Sequence, residues 1–334
     1  MSQYPSFDQS NDDEYYLRVK EVTKGGKFSF ITNIILFILT FFSTTIAGVG
    51  WANQNPYQLE NFESGLLYSA LILLVITAHE FGHYFAAIYH KVSVTLPYYI
   101  PFPFPFLNPF GTMGAVIRMK SPTQSRKALF DIAVAGPISG WVVSVIILII
   151  GFITLPSIDF LYTIHPEYIT SGISTEGFAF GNNILFYTLE KIFVSPQSSF
   201  MPPMNEVYHY PFLCVGWFGL MITALNMMPV GQLDGGHISY AMFGKNHTKI
   251  AYVVFGLLII FGLAGFLPLI GINFEIGSIN WLVWALLIFF VIKIKHPDNV
   301  YDFDQPLSLT RVTLGWFSFL IFVTSFTPIP ITGF

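Results

Sequence analysis

Two histidines and a glutamate stand inside an apolar segment, and this placement constrains the chain more than any other feature. The segment covers residues 66–87, and its positions 79–83 read His-Glu-Phe-Gly-His. His79 and His83 are four residues apart and share one helix face, where they can bind one Zn²⁺ with Glu80 beside them free to act as a base. Burying three ionisable groups in hydrocarbon is costly, so the placement indicates a functional site rather than an accidental match or a satisfied core histidine.

The composition agrees with a membrane location for this segment. The chain has 334 residues, of which 53% are hydrophobic and only 10% are charged, whereas a soluble domain carries about a quarter charged residues. We therefore expect a polytopic integral membrane protein. The single cysteine, Cys214, excludes an intrachain disulfide and a cysteine-rich metal site.

Seven apolar segments approach the length of about 20 residues that a helix needs to cross a bilayer. They are residues 28–49, 66–90, 132–154, 212–228, 250–270, 281–294 and 312–329. The predicted fold class is an all-α polytopic membrane protein with about seven transmembrane helices. Residues 1–27 are polar and mixed in charge, and we interpret them as a cytosolic tail that precedes a single transmembrane domain over residues 28–334.

Lysine and arginine are distributed unevenly between the two sides of the predicted spans. Fourteen of the fifteen lie in the tail or in the connections 91–128, 229–249 and 293–311, which share one side, and only Lys191 lies on the other. Because basic residues are enriched on the cytosolic side of a membrane, we expect the N-terminus in the cytosol and the C-terminus outside.

The connection between the second and third spans is apolar but rich in proline. Its prolines alternate with tyrosine and phenylalanine over residues 97–109, and proline at this density prevents a spanning helix. Non-helical apolar backbone is tolerated at membrane depth where protein buries it or where it lines a cavity. We predict a re-entrant loop followed by a strand from Gly111 to Met119; an amphipathic interfacial segment is the alternative.

A zinc site needs a third protein ligand and an open position for water. Asp234 is the one downstream acid that adjoins an apolar span, at the predicted cytosolic end of the fourth span. We favour it over His237, the rival ligand, because a carboxylate partly neutralises the metal in a medium of low dielectric constant. Gly235 and Gly236 would let the backbone approach the site closely.

With these residues the chain resembles the site-2 protease family of intramembrane zinc metalloproteases, in a compact form without a PDZ domain. The resemblance rests on His79-Glu80-x-x-His83, on Asn226-x-x-Pro229 followed by Asp234-Gly235-Gly236, and on Ala135-Gly136-Pro137, which we expect to open the intervening helix. These motifs cover the catalytic core, about residues 65–244. Within the family, the chain most resembles the branch that includes chloroplast-type members. The acidic tail nevertheless favours a location in a bacterial cytoplasmic membrane.

The resemblance implies a role for each matching residue. His79, His83 and Asp234 would bind one Zn²⁺ per chain, Glu80 would be the catalytic base, and Asn226 would hold the substrate or its oxyanion. The family's membrane-associated strand would bind an unwound substrate along its edge. In this chain the strand residues are Gly111, Thr112, Met113, Gly114, Ala115, Val116 and Ile117.

The predicted function is therefore hydrolysis of peptide bonds within or near transmembrane segments. The expected partners are single-pass membrane-protein substrates, the lipid bilayer and a separate adaptor protein as an option; no nucleic acid is expected. A zinc or divalent-metal transporter is the alternative function, because some transporters carry a similar helix. The remaining histidines, which we expect to be solvated or interfacial, are His90, His165, His209, His247 and His296.

Overall fold

A computed structural model describes residues 27–104, 108–121, 123, 125–174, 177–194, 200–272, 276–297, 300 and 303–332. The cytosolic tail predicted over residues 1–27 lies outside these residues, apart from the backbone of Lys27. The described chain is mostly helical, and its apolar helices make it an integral membrane protein.

The α-helices carry the architecture. In chain order they are α1 (Lys27–Trp51), α2 (Leu66–Tyr89), α3 (Arg126–Ile153), α4 (Ile158–Ile164), α5 (Tyr168–Ser171), α6 (Ile184–Phe193), α7 (Pro211–Asn226), α8 (Asp234–Phe243), α9 (His247–Ala264), α10 (Asn280–Leu287) and α11 (Leu309–Ser325). A 3-10 helix, Leu59–Gly65, leads into α2, and a π-helical turn, Ile288–Ile292, extends α10.

Four helical stretches are long and apolar enough to cross a membrane: Phe30–Trp51, Leu59–Tyr89, Arg126–Ile153 and Asp234–Ala264. Three shorter apolar helices accompany them, Pro211–Asn226, Asn280–Ile292 and Leu309–Ser325. Each of the seven segments predicted from hydropathy overlaps one of these helices.

Helix α3 lies at the centre of the fold, packed against α2, α7 and α8. It begins six residues before the predicted third span, because the Ser125 side chain accepts a hydrogen bond from the Ala128 N–H, at 3.2 Å, and caps the helix. Hydropathy marks where a helix enters an apolar environment and not where it begins. The expectation that Ala135-Gly136-Pro137 opens this helix was therefore wrong, since Pro137 lies inside it.

A cluster of ionic contacts joins several helices at one end of the bundle. Asp131 Oδ2 lies 2.7 Å from His90 Nε2 and 2.7 Å from Arg311 Nη2, so it links the ends of α2, α3 and α11. The Arg126 guanidinium donates to the carbonyls of Ala241 and Met242 at the end of α8. The ends of four helices thus meet at one level, which we call the basic end.

The opposite end of the bundle is formed where α1 finishes and α7 begins. Here the Trp51 carbonyl lies 2.9 Å from His209 Nδ1. Trp51 also packs against Phe180 and Phe218 in an aromatic cluster that continues into the main core. We call this the Trp51 end.

The strands form two small antiparallel sheets. β1 (Tyr98–Pro101) pairs with β2 (Thr112–Val116), with Tyr99 opposite Ala115. β2 falls within the strand predicted over Gly111–Met119, whereas the hairpin partner β1, inside the proline-rich segment, was not predicted. The second sheet, β3 (Ala179–Phe180) with β4 (Ile331–Thr332), was not predicted either, nor were α4, α5 and α6.

Candidate metal centre

Helices α2 and α3 pack closely, so that His79 and His83 of α2 lie against glycines of α3. A Cβ on Gly136 would overlap the His83 ring, and one on Gly140 would lie 3.2 Å from His79 Cβ. Small residues at a helix interface let two backbones approach each other. The two imidazoles therefore occupy space that α3 leaves free, and both are buried.

Asp234 reaches the same point from a different direction. It is the first residue of α8, after a buried turn that follows the end of α7 at Asn226. The prediction put it at the cytosolic end of the fourth span; instead it starts a separate apolar helix. A Cβ on Gly235 would overlap the Met227 carbonyl, so this turn can close only with glycine there.

Three side-chain atoms converge in this space. His79 Nε2 and His83 Nε2 are 3.1 Å apart, and Asp234 Oδ2 lies 3.4 Å from the first and 3.3 Å from the second. Ligands at tetrahedral zinc, with Zn–N about 2.0–2.1 Å, are separated from one another by about 3.3 Å. The three atoms therefore have the spacing of three corners of a zinc tetrahedron.

The hydrogen bond made by His83 tests whether this donor set fits a cation. His83 Nδ1 lies 2.7 Å from the Ile132 carbonyl, and a carbonyl can only accept, so Nδ1 carries the proton. In the neutral ring Nε2 then presents a lone pair to His79 Nε2 and to the Asp234 carboxylate. This lone pair and the Asp234 carboxylate face one another at 3.3 Å, and a divalent cation between them would satisfy both.

Glu80 lies beside this group and contacts the strand β2. Its carboxylate is buried and accepts a hydrogen bond from the Ile117 N–H at 3.1 Å. Glu80 thus links the metal-binding motif on α2 to the backbone that follows β2. This contact has no signal in the sequence, because it joins positions 37 residues apart in different elements.

A cavity of about 630 Å³ opens onto these side chains. Its lining includes His79, Glu80, His83 and Asp234, the amide-bearing Asn226 and residues 112–117 of the predicted substrate strand. Gly111 is not among its lining residues; it has a φ of +76° and packs against Ser43 and Thr44 of α1. A cavity of this size accommodates an extended peptide segment.

His237, the rival third ligand, is held elsewhere in the described structure. It lines the cavity wall, but its Nδ1 lies 2.6 Å from His296 Nε2. The group of possible metal ligands at this place consists of His79, His83 and Asp234 among the described residues. The geometry therefore favours Asp234 over His237 as the third ligand.

Replacement of Gly136 with Ala is expected to displace the His83 ring, because the added methyl group would overlap His83 Nε2. The expected result is a protein with little bound zinc and little activity. Gly50 gives the matched control, since a Cβ there meets nothing within 4 Å. Zinc content of the two purified variants tests this prediction, and an unchanged zinc content in Gly136→Ala would contradict it.

Comparison with known proteins gives a family and several relatives. The family described as Peptidase family M50 matches residues 67–265. The probable chloroplastic zinc metalloprotease EGY1 of Arabidopsis thaliana is 30% identical over 263 residues, 71% of this chain and 44% of that protein. Its namesake in Oryza sativa subsp. japonica is 26% identical over 329 residues, 91% of this chain and 52% of that protein.

The match covers only part of these relatives. The chain spans about half the length of the curated relatives it matches. The matched range, 67–265, contains all of the converging side chains and the whole cavity strand. The family and the relatives give no support to the metal-transporter alternative.

Proposed function

Since this chain belongs to peptidase family M50, we propose that it is an intramembrane zinc metalloendopeptidase that cleaves within or near the transmembrane segments of other membrane proteins. The observation that carries the proposal is the convergence of His79, His83 and Asp234 beside Glu80 in a cavity large enough for a peptide. Zinc is the cofactor that this family uses.

The proposed ligands are His79 Nε2, His83 Nε2 and an oxygen of Asp234. Bound there, Zn²⁺ supplies a Lewis acid for the scissile carbonyl and lowers the pKa of water towards neutrality. Glu80 would accept the proton of the attacking water as the new C–O bond forms at the scissile carbonyl carbon. It would then pass that proton to the nitrogen of the leaving amine as the C–N bond breaks. The Ile117 N–H holds the Glu80 carboxylate in place for this transfer.

Asn226 is the proposed hydrogen-bond donor to the oxyanion. It is the last residue of α7 and lines the same cavity as Glu80 and Asp234. An amide N–H that faces developing negative charge stabilises a tetrahedral transition state. The break in the helix after Asn226 places this side chain next to the turn that carries Asp234.

The edge of β2 is the proposed binding surface for the substrate backbone. β1 pairs with one edge of β2, and in the described residues this sheet has two strands. N–H groups alternate between the two edges of a strand, so the Ala115 N–H shares an edge with the Ile117 N–H, which points to Glu80. An unwound substrate that adds to this edge would run past the proposed base.

Proline at Ala115 is expected to reduce cleavage of a transmembrane substrate strongly, because it removes the edge N–H that would pair with the substrate backbone. Zinc content should stay at the wild-type level, since Ala115 is not one of the proposed ligands. Ala115→Gly, which keeps the N–H, is the matched control. Normal cleavage by a folded Ala115→Pro protein would exclude pairing at this edge.

We propose seven membrane crossings, of which the fourth is broken at the metal centre. α7 starts at the Trp51 end, and α8 finishes beside Arg126 at the basic end, so the two helices together traverse the bundle. α9 then returns, because Phe261 near its end packs against Phe326 of the last crossing. Discontinuous helices of this kind bring polar groups to the middle of a bilayer.

The other finer features follow this topology. The β1–β2 hairpin is the proposed re-entrant segment, which enters from the basic end. That end is proposed to face the cytosol, following the distribution of lysine and arginine. Residues 28–334 are proposed as one domain. The bacterial cytoplasmic membrane stays a prediction, since the relatives reported above are named chloroplastic.

Cleavage in a reconstituted system tests the proposed function. The purified protein is placed in lipid vesicles with a single-pass membrane protein and zinc, and the products are separated by mass. Products cut within or near the transmembrane segment, lost with a zinc chelator and regained with zinc, are expected. Movement of zinc across the vesicles without any cleavage would overturn the proposal in favour of a transporter.

A further inference from the structure

A second group of histidine and carboxylate side chains lies at the Trp51 end of the bundle. It consists of His165, which ends α4, with Glu206 and His209 in the turn before α7. These histidines were expected to be solvated or interfacial, but His209 is only 3% exposed and Glu206 only 2%. We call this group the outer cluster.

Distances within the outer cluster match those of the metal centre. His165 Nε2 and His209 Nε2 are 3.0 Å apart, and Glu206 Oε2 lies 3.7 Å from the first and 3.5 Å from the second. The metal centre has 3.1, 3.4 and 3.3 Å between the corresponding atoms. Each set contains two imidazole nitrogens and one carboxylate oxygen at the spacing of ligands around one ion.

The surroundings orient both imidazoles of the outer cluster for coordination. His209 Nδ1 lies 2.9 Å from the Trp51 carbonyl, so it carries the proton and leaves Nε2 with a lone pair. His165 Nδ1 lies 3.0 Å from the Glu167 carboxylate, which has the same effect. Metal-binding histidines characteristically donate their other N–H to a carbonyl or a carboxylate.

The Glu206 carboxylate provides a second, independent observation. Its Oε1 accepts from the Tyr168 hydroxyl at 2.8 Å, whereas the buried Oε2 has no hydrogen-bond partner among the described residues. This oxygen points at the two imidazole nitrogens. A buried carboxylate without a cationic partner is unfavourable. Within the described chain, the ion-pair contacts of Glu206 are those with His165 and His209.

We propose that His165, Glu206 and His209 bind a second divalent cation at the Trp51 end of the protein. Two nitrogen ligands and one oxygen ligand at this spacing favour Zn²⁺ over Ca²⁺ or Mg²⁺, which take oxygen ligands. We assign the site a structural role, because Glu206 is itself a proposed ligand and the Glu167 carboxylate orients the His165 ring.

The bound cation would tie the connection between α3 and α7 to the rest of the protein. His165 and His209 come from the two ends of that connection, and His209 also holds Trp51 at the end of α1. The Trp51 indole N–H in turn donates to the Pro109 carbonyl, 2.9 Å away, just before β2. Occupancy of the outer cluster would thus stabilise the loop from which the proposed substrate strand starts.

Zinc stoichiometry of the whole protein in detergent, measured by mass spectrometry of the metal after zinc loading and desalting, tests this proposal. Wild type should hold two zinc ions per chain, and His165→Ala and Glu206→Gln should each hold one. Glu190→Gln, which changes another carboxylate of the same connection, is the matched control and should hold two. Wild-type stoichiometry in both cluster variants would overturn the proposal.

The variant His83→Ala tests the second site in a protein whose outer cluster is unchanged. This change disables the metal centre and leaves the outer cluster intact, so one zinc ion should remain, and zinc should raise the melting temperature. No bound zinc in His83→Ala would overturn the second site, as would zinc that persists in His83→Ala/His165→Ala. If His83→Ala holds as much zinc as wild type while His165→Ala loses an ion, the second site stands and the proposed metal centre fails.

Discussion

Glutamine in place of Glu80 is expected to lower the rate of substrate cleavage by about 10²–10⁴-fold, the contribution of a positioned general base. The amide cannot accept the proton of the attacking water at neutral pH, so the first bond-making step loses its base. Zinc should stay bound, because Glu80 supplies none of the three converging atoms. These are His79 Nε2, His83 Nε2 and Asp234 Oδ2.

The fold should also survive this change. The glutamine side chain has the same length, and its carbonyl oxygen can accept the Ile117 N–H that the Glu80 carboxylate accepts now. Cleavage of a single-pass protein in vesicles and the zinc content of the same sample are measured together. Glu63→Gln, in the exposed 3-10 helix before α2, is the matched control. Wild-type cleavage by Glu80→Gln would exclude Glu80 as the base.

Replacement of Asp234 with alanine is expected to produce the largest loss of metal. It removes one of the three proposed ligands and the only carboxylate among them, and an uncompensated dication in a buried space is costly. Loss of residues that only support a ligand already weakens metal binding by about 10–100-fold, so loss of the ligand itself should exceed that range. Cleavage should fall with the zinc content.

The conservative variant separates charge from shape at the same position. Asp234→Asn keeps an oxygen near the two imidazoles but removes the negative charge, and it should bind zinc less tightly than wild type and more tightly than Asp234→Ala. Asp159→Asn, at an exposed position in the first turn of α4, is the matched control. Zinc affinity is measured by competition with a chelator. An Asp234→Ala protein with wild-type affinity would remove this residue from the ligand set.

Residue type and spacing predicted most of the candidate site. The spacing of His79 and His83 puts them on one helix face, and a three-ligand zinc site requires one further ligand from another element. Asp234 was identified because few acids adjoin apolar segments in this chain. The structure brings these side chains together, while their roles remain predictions for the experiments above.

Hydropathy predicted where apolar helices lie but not how they are divided. Asp234, two glycines and His237 lower the hydropathy of α8, so this helix was read as part of a cytosolic connection. Its burial depends on contacts with α3 and α11, which lie beside it in space but far from it in the sequence. The start of α3 was missed for the complementary reason, since its first turn is charged.

Contacts between distant elements had no signal in a single sequence. The Ile117 N–H reaches Glu80 only because β2 packs beside α2, and His165 reaches His209 only because the connection between α3 and α7 folds back on itself. For the same reason the expectation that His209, His247 and His296 are solvated or interfacial was wrong: all three are buried. Composition and periodicity describe local environments and leave such tertiary contacts open.

Anomalous X-ray diffraction at the zinc absorption edge tests the central claim most directly, namely that α2 and α8 share one zinc ion. Crystals of the zinc-loaded Glu80→Gln protein should give a peak about 2.0–2.2 Å from His79 Nε2, His83 Nε2 and an Asp234 carboxylate oxygen. A zinc-loaded crystal without a peak between these atoms, or with Asp234 out of reach of the ion, would contradict it.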